Sequence, residues 1–198
     1  MKRIFYTLCT ILLLAATTAT AQNTRTSMTY AVGFGTGDLG DFNSQVSWRG
    51  FQIDMHKMLD LKMGLGGSFG WNVFYDEKDY DTYTDGTASL SGKQYRYTNA
   101  LPLLASFNYY MNPGQKANFF VGLGTGVTYI RRNTDMNLYT IEQEAWNFTL
   151  QPQIGIEIDN SLSSAFTIVA KYYNGFAAGD LEKTRSYISL NVGWTFKS

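Results

Sequence analysis

"VGLGTGVTYI" occupies residues 121–130 and places Gly122, Gly124 and Gly126 at every second position. A dinucleotide-binding loop needs its glycines at the turn between a strand and a helix, where backbone N–H groups converge on a pyrophosphate. Here the following stretch, "IRRNTDMNLY" (130–139), reads as a polar loop with no helical period. The period of two puts the three glycines on one face of a strand and Val121, Leu123, Val127 and Tyr129 on the other. One face is large and apolar, the other small.

The same alternation recurs through the chain and predicts eight strands. The first is 27–35, with Met28, Tyr30, Val32 and Phe34 opposite Thr29, Ala31, Gly33 and Gly35. The second, about 48–57, sets Phe51, Ile53 and Met55 against Gln52, Asp54 and His56. In the third, 61–74, Leu61, Met63, Leu65, Phe69, Trp71 and Val73 alternate with Lys62, Gly64, Gly66, Ser68, Gly70 and Asn72. The fourth, about 95–109, opposes Leu101, Leu103 and Phe107 to Arg96, Thr98 and Ser106, and the fifth contains the quoted run. The sixth, 146–158, sets Trp146, Phe148, Ile154 and Ile156 against Asn147, Gln151, Gln153 and Glu157. In the seventh, about 164–173, Phe166, Ile168 and Tyr172 face away from Thr167, Val169, Lys171 and Tyr173. The eighth, 187–196, carries Ile188, Leu190, Val192, Trp194 and Phe196 opposite Tyr187, Ser189, Asn191, Gly193 and Thr195.

The connections after the second, fourth and sixth strands are short ("MLD", "MNPGQ", "DNSLS"); the others are longer and polar, above all 75–93. That asymmetry is expected of a transmembrane barrel with short periplasmic turns and longer extracellular loops. A soluble barrel would instead turn the large apolar set inward around a ligand. Three features favour the membrane. Several segments reach the 9–11 residues a tilted strand needs to cross a bilayer. Glycine weakens a strand that faces water. Inside a barrel of eight strands, glycine leaves room for longer neighbours. The reading is therefore all-β: an eight-stranded antiparallel up-and-down transmembrane β-barrel. Tyr30, Trp71, Tyr95, Tyr109, Tyr129, Trp146, Tyr172 and Trp194 then fall near the ends of the outward face, as two interfacial girdles.

Composition agrees. The chain has 14 tyrosines, 13 phenylalanines, 4 tryptophans and 19 glycines, which favours strands and close turns over helices. Residues 1–21, with Lys2 and Arg3, an apolar stretch through Ala16 and the small run Ala19-Thr20-Ala21, read as a signal peptide cleaved after Ala21. Residues 22–198 then form one barrel domain. The single cysteine, Cys9, leaves with the signal, so no disulfide is expected. Sixteen basic and sixteen acidic residues become fourteen and sixteen once Lys2 and Arg3 are lost, and no basic field suggests nucleic acid.

The alternating segments, the signal and the final strand "YISLNVGWTFKS" (187–198) together resemble the small eight-stranded outer-membrane β-barrel family of Gram-negative bacteria, of OmpX, OmpA-barrel and OmpW type. The resemblance spans about 26–198 and implies a place in the cell outer membrane, among its lipid and lipopolysaccharide. In that family the last strand ends in an aromatic residue read by the barrel assembly machinery. Ile188, Leu190, Val192, Trp194 and Phe196 match that signal, although Lys197 and Ser198 follow.

The polar or charged residues expected to face the lumen are Asp54, His56, Lys62, Arg96, Glu157 and Lys171; the small ones are Gly64, Gly66, Gly122, Gly124, Gly126 and Gly193. In so narrow a barrel the opposite charges should pair across the interior and plug it rather than tune a pore. His56, beside Asp54, has the types of a base and its orienting carboxylate. It lies at the periplasmic end, whereas lipid-modifying barrels of this size work at the outer leaflet, so a structural hydrogen bond is the expected role. No catalytic residue, metal or cofactor is expected. The acids Asp76, Glu77, Asp79, Asp81 and Asp85 match a calcium loop only loosely and read as a solvated surface. Pro102 and Pro152, inside predicted strands, should each produce a bulge or a local break. The expected function is a non-enzymatic outer-membrane barrel contributing to envelope structure or surface interaction, with an unidentified surface ligand. The alternatives are a small passive solute channel and a secreted soluble barrel holding an apolar ligand.

Overall fold

A strand with one greasy face can satisfy its backbone in lipid only if the sheet closes on itself, because an unpaired edge has no water to bond. This chain closes. The computed structural model describes residues 23–85, 88–136, 138–177 and 184–198; the expected leader and its cleavage after Ala21 lie outside the described residues. Strands β1 (Thr24–Gly37), β2 (Arg49–Met58), β3 (Met63–Asp85), β4 (Ala88–Tyr110), β5 (Ala117–Met136), β6 (Tyr139–Ser161), β7 (Ser164–Gly175) and β8 (Arg185–Lys197) form one closed barrel in sequence order. Each pairs antiparallel with the next, and β1 with β8, from Arg25 opposite Lys197 to Gly37 opposite Arg185.

The alternation sorts outside from inside. Met63, Leu65, Leu103, Leu123, Ile154 and Leu190 are exposed on the outer surface, whereas Ser68, Asn108, Thr128, Gln151, Ser189 and Thr195 are buried within it. This excludes the soluble barrel with an inward apolar set. Outward aromatics meet in pairs at both ends of the belt. Tyr129 and Trp146 stand 5.1 Å apart toward the long-loop end, and Phe166 and Trp194 5.4 Å apart toward the short-turn end.

Lys62 is a correction. It was expected on the lumen face of the third strand, but that strand starts at Met63 and Lys62 is exposed in the preceding turn. The Asp60 carboxylate fixes this start by accepting the N–H groups of Lys62 and Met63, each at 2.7 Å.

The polar stretches after β3 and β5 are also corrected, from loops to hairpins. β2 pairs with β3 no further than Arg49 opposite Val73, yet β3 continues to Asp85 alongside β4. At about 3.3 Å per residue and a tilt near 40°, the extension rises roughly 30 Å. β5 and β6 likewise pair out to Met136 opposite Tyr139. Once outside lipid these strands need no apolar face, so polar cross-strand pairs sustain them: Glu77–Lys93 at 2.7 Å, Arg131–Glu142 at 2.6 Å, and the rings of Tyr75 and Tyr97 at 4.9 Å. Tyr95 belongs to this projecting wall, opposite Glu77 and Asp135, and not to the girdle.

The prolines break the ladder without bulging it. Pro102 pairs in register with Thr128, but the β3–β4 ladder lapses between Phe69–Leu103 and Asn72–Ala100. Pro152 pairs with Leu123, and the β6–β7 ladder lapses between Leu150–Asn174 and Gln153–Lys171. One side of each strand lacks bonds, and the register resumes unchanged.

Adjacent glycines show how differently the two faces tolerate a side chain. A Cβ on inward Gly66 would overlap the Met55 carbonyl oxygen of β2, whereas on outward Gly67 its nearest neighbour would be the Leu104 carbonyl oxygen at 3.6 Å. Gly66→Ala should destabilise the folded barrel by about 1–3 kcal/mol through forced strand displacement. Gly67→Ala should stay within about 0.5 kcal/mol of the parent in the same urea titration.

Candidate functional site in the barrel interior and its outer mouth

An eight-stranded barrel is just wide enough for side chains to fill it, and here they do so in layers. At the short-turn end Arg25 pairs with Glu157 and lies 4.3 Å from the centre of the Tyr110 ring, which packs against Phe120. Above this, the Lys171 ammonium donates to both Asp54 oxygens, at 2.7 and 2.8 Å. His56 Nε2 and Ser106 Oγ are 2.8 Å apart, and the hydroxyls of Ser27 and Thr167 both meet Thr195. In the next layer Tyr173 donates to Gln52 Oε1 at 2.9 Å and Gln52 donates to Ser68. The Tyr173 and Tyr187 rings stack 4.4 Å apart, with Phe74 against Tyr187. Lys171 is 1% exposed and Glu157 1%, so neither is available to a passing solute. A cavity of about 10 Å³ beside Asp54, His56 and Lys171 accommodates no more than about one water.

Of the residues expected in the lumen, Asp54, His56, Glu157 and Lys171 lie buried within it, and Arg96 stands half-buried at its mouth. Gly64, Gly66, Gly122, Gly124, Gly126 and Gly193 occupy inward positions. The space beside Gly122 is taken by Asn108 and Gln153, and that beside Gly124 by Gln151 and Leu104. The outward faces of β8 residues Ile188, Leu190, Val192, Trp194 and Phe196 are exposed. Asp54, His56 and Ser106 are the residue types of a nucleophilic triad. However, Asp54 is held by Lys171, and all three are at most 5% exposed, with no room for a substrate beside them. Among the described residues, no three histidine, cysteine or acidic side chains cluster as a metal site would require.

The outer mouth is closed by a feature the sequence did not signal. Gly37, at φ 54°, turns the chain inward from β1 into a short helix α1 (Asp38–Phe42). Leu39 is fully buried against Phe74, Ala100, Leu104 and Ile130. Asp38 accepts from Arg132 at 3.0 Å and Arg185 at 2.5 Å. The Phe42 ring lies between the guanidiniums of Arg132, at 3.8 Å, and Arg96, at 4.8 Å. Asn43 accepts from Thr98 and donates to the Arg96 carbonyl. The segment then returns to the wall through Ser44 on Asp76 and Ser47 on the Val73 carbonyl.

Asp76 lies above the girdle and is buried. Burial alone would raise its carboxyl, but the N–H and hydroxyl of Ser44, together with Lys78, outweigh burial and hold it below the usual range. A depressed folded value stabilises the closed mouth above the ordinary carboxyl range, and that contribution is lost as pH falls through the folded value. Protection of the Ser44–Ser47 amides, taken relative to the intrinsic exchange rate at each pH, should therefore fall in acid, and Asp76→Asn should remove that fall.

No protein-family model matches the chain, and no characterised protein matches it by sequence. By structure it is similar to Neisserial surface protein A, with 11% identity over 89% of this chain and 98% of that one and a TM-score of 0.57. It is also similar to Ail, the attachment invasion locus protein of Yersinia pestis, with 12% identity over 89% and 99% and a TM-score of 0.56. The outer membrane protease OmpT of Escherichia coli superposes at 6% identity over 90% and 98%, with a TM-score of 0.54. At such identities the likeness is one of fold, and that fold is the one shared by the small eight-stranded outer-membrane β-barrels.

Proposed function

We propose that this chain is a closed, non-enzymatic outer-membrane barrel that acts as a surface-binding scaffold, cleaved from its leader and inserted through the assembly signal of β8. The observation that supports this reading is the filled interior: a buried Lys171–Asp54 pair, a part-buried Arg25–Glu157 pair, an aromatic stack and the helix at the mouth occupy the lumen. A barrel that transports nothing presents its outer end, and among the described residues the β3–β6 wall is what rises above the membrane. Binding residues concentrate on segments held by a rigid scaffold. Ail, of the same fold, has been seen in complex with the heparin analogue sucrose octasulfate, which supports a binding role for a barrel of this shape.

Planar-bilayer recording tests it. The refolded protein should insert without discrete conductance steps, and a variant lacking residues 77–94 should retain heat-modifiable gel mobility while losing surface attachment. Reproducible ohmic steps from the unaltered chain would overturn the reading in favour of the solute channel.

A further inference from the structure

We propose that the outer mouth is a binding site for an oxyanion carried by an external ligand, a sulfate, phosphate or carboxylate group gripped by Arg96 and Arg132, with the chain's own Asp38 as the competing internal anion. The inference rests on the surface-binding reading above and adds a ligand chemistry to it. Arg132 is 8% exposed. Its Nη2 reaches Asp38, but its buried Nε has no acceptor. Arg96 donates from Nε to Gln94 Oε1 at 2.7 Å and from Nη1 to the Phe42 carbonyl at 3.3 Å, both neutral acceptors. Two guanidiniums are thus brought to one aromatic ring, and Asp38 is the carboxylate that Arg132 meets. Burying cations beside one another is costly without an anion to offset them.

Guanidinium forks match the geometry of tetrahedral and planar oxyanions, which a second ammonium or an apolar ligand would not exploit. Arg96 is half-buried at the outer end of the barrel, so an anion would reach it from the aqueous side. Asp38 is the side chain the ligand would displace from Arg132. It sits on a five-residue helix with no side-chain cap, joined to β1 through Gly37 at positive φ. An arriving oxyanion would take over the Arg132 bond from the Asp38 carboxylate. The plug is then an intramolecular stand-in for the ligand.

The test uses the full barrel in detergent micelles, with sulfate, phosphate or acetate titrated against chloride at constant ionic strength and the heat-unfolding midpoint as readout. Asp38→Asn keeps the shape of the side chain and removes the competing charge. Its midpoint should rise with sulfate or phosphate, and the unaltered chain should need at least about tenfold more anion for the same rise. Adding Arg132→Gln to Asp38→Asn should abolish the response. A D38N midpoint that moves no more in sulfate than in chloride overturns the proposal, as does an undiminished response in the double variant. If D38N does not fold, the unaltered chain at high sulfate must still respond and R132Q must not; equal responses overturn the proposal. Conductance is a separate readout, so failure here and failure of the closed-barrel reading are distinguishable.

Discussion

Asp54→Ala should lower the unfolding free energy of the barrel by about 3–5 kcal/mol, the loss expected when one partner of a buried ion pair is removed. Lys171 would then stand deep in the lumen with its ammonium unpaired. Its Nζ has both Asp54 oxygens within 2.8 Å, and its side chain is 1% exposed. Flanking groups cannot take over. His56 is already bonded to Ser106, and Glu157 to Arg25 one layer below. Buried pairs contribute little net stability over apolar residues of similar volume, because desolvation offsets their attraction. The double replacement of Asp54 by Leu and Lys171 by Met should therefore recover most of the loss. A urea series on Asp54→Leu, Lys171→Met and the double variant, read by gel mobility, gives the coupling directly. A D54A loss under about 1 kcal/mol would mean that the pair is hydrated and the lumen open.

The second large effect lies on the other face. Leu123 is 51% exposed and sits between Phe119 and Tyr129 on β5, within the belt. Leu123→Arg should cost about 2–4 kcal/mol of folding free energy in a bilayer, because a guanidinium within the belt must bend lipid or water toward itself. Tyr139→Arg is the control. Tyr139 is exposed at the tip of the β5–β6 hairpin, above the membrane, where a charge meets water and should change stability by no more than about 0.5 kcal/mol. Equal costs at the two positions would remove the bilayer from the explanation.

The parts of this fold that were legible in the sequence are those that lipid dictates. Hydrocarbon on one side and a packed lumen on the other enforce a period of two, so the strand count, both faces and the inward glycines follow from residues such as Leu123 and Gly124 alone. Above the membrane that constraint disappears. Residues 75–85 and 130–139 carry tyrosine, threonine and charges on both faces, so a paired strand there has the composition of a loop. The mouth plug was hidden for a related reason: five residues are too few for a helical period. Leu39 and Phe42, the large apolar residues within a polar connection, were its only trace. Of the lumen charges, the sequence placed Asp54 opposite Lys171 in sign but could not pair them, since partners 117 residues apart depend on barrel closure. Arg25 was missed because it precedes the apolar alternation of β1, and Lys62 was misplaced because Asp60 starts β3 two residues later than its pattern.

Methyl-labelled protein in nanodiscs tests the central claim most directly, because the same residue types occur on both faces. Cross-peaks to lipid acyl chains should appear for the methyls of Leu123, Ile154 and Leu190 on the outer surface and be absent for Leu104, Ile130 and Val169, which are buried in the interior. Lipid contacts at Leu104, Ile130 or Val169, with none at Leu123, Ile154 and Leu190, would contradict the account.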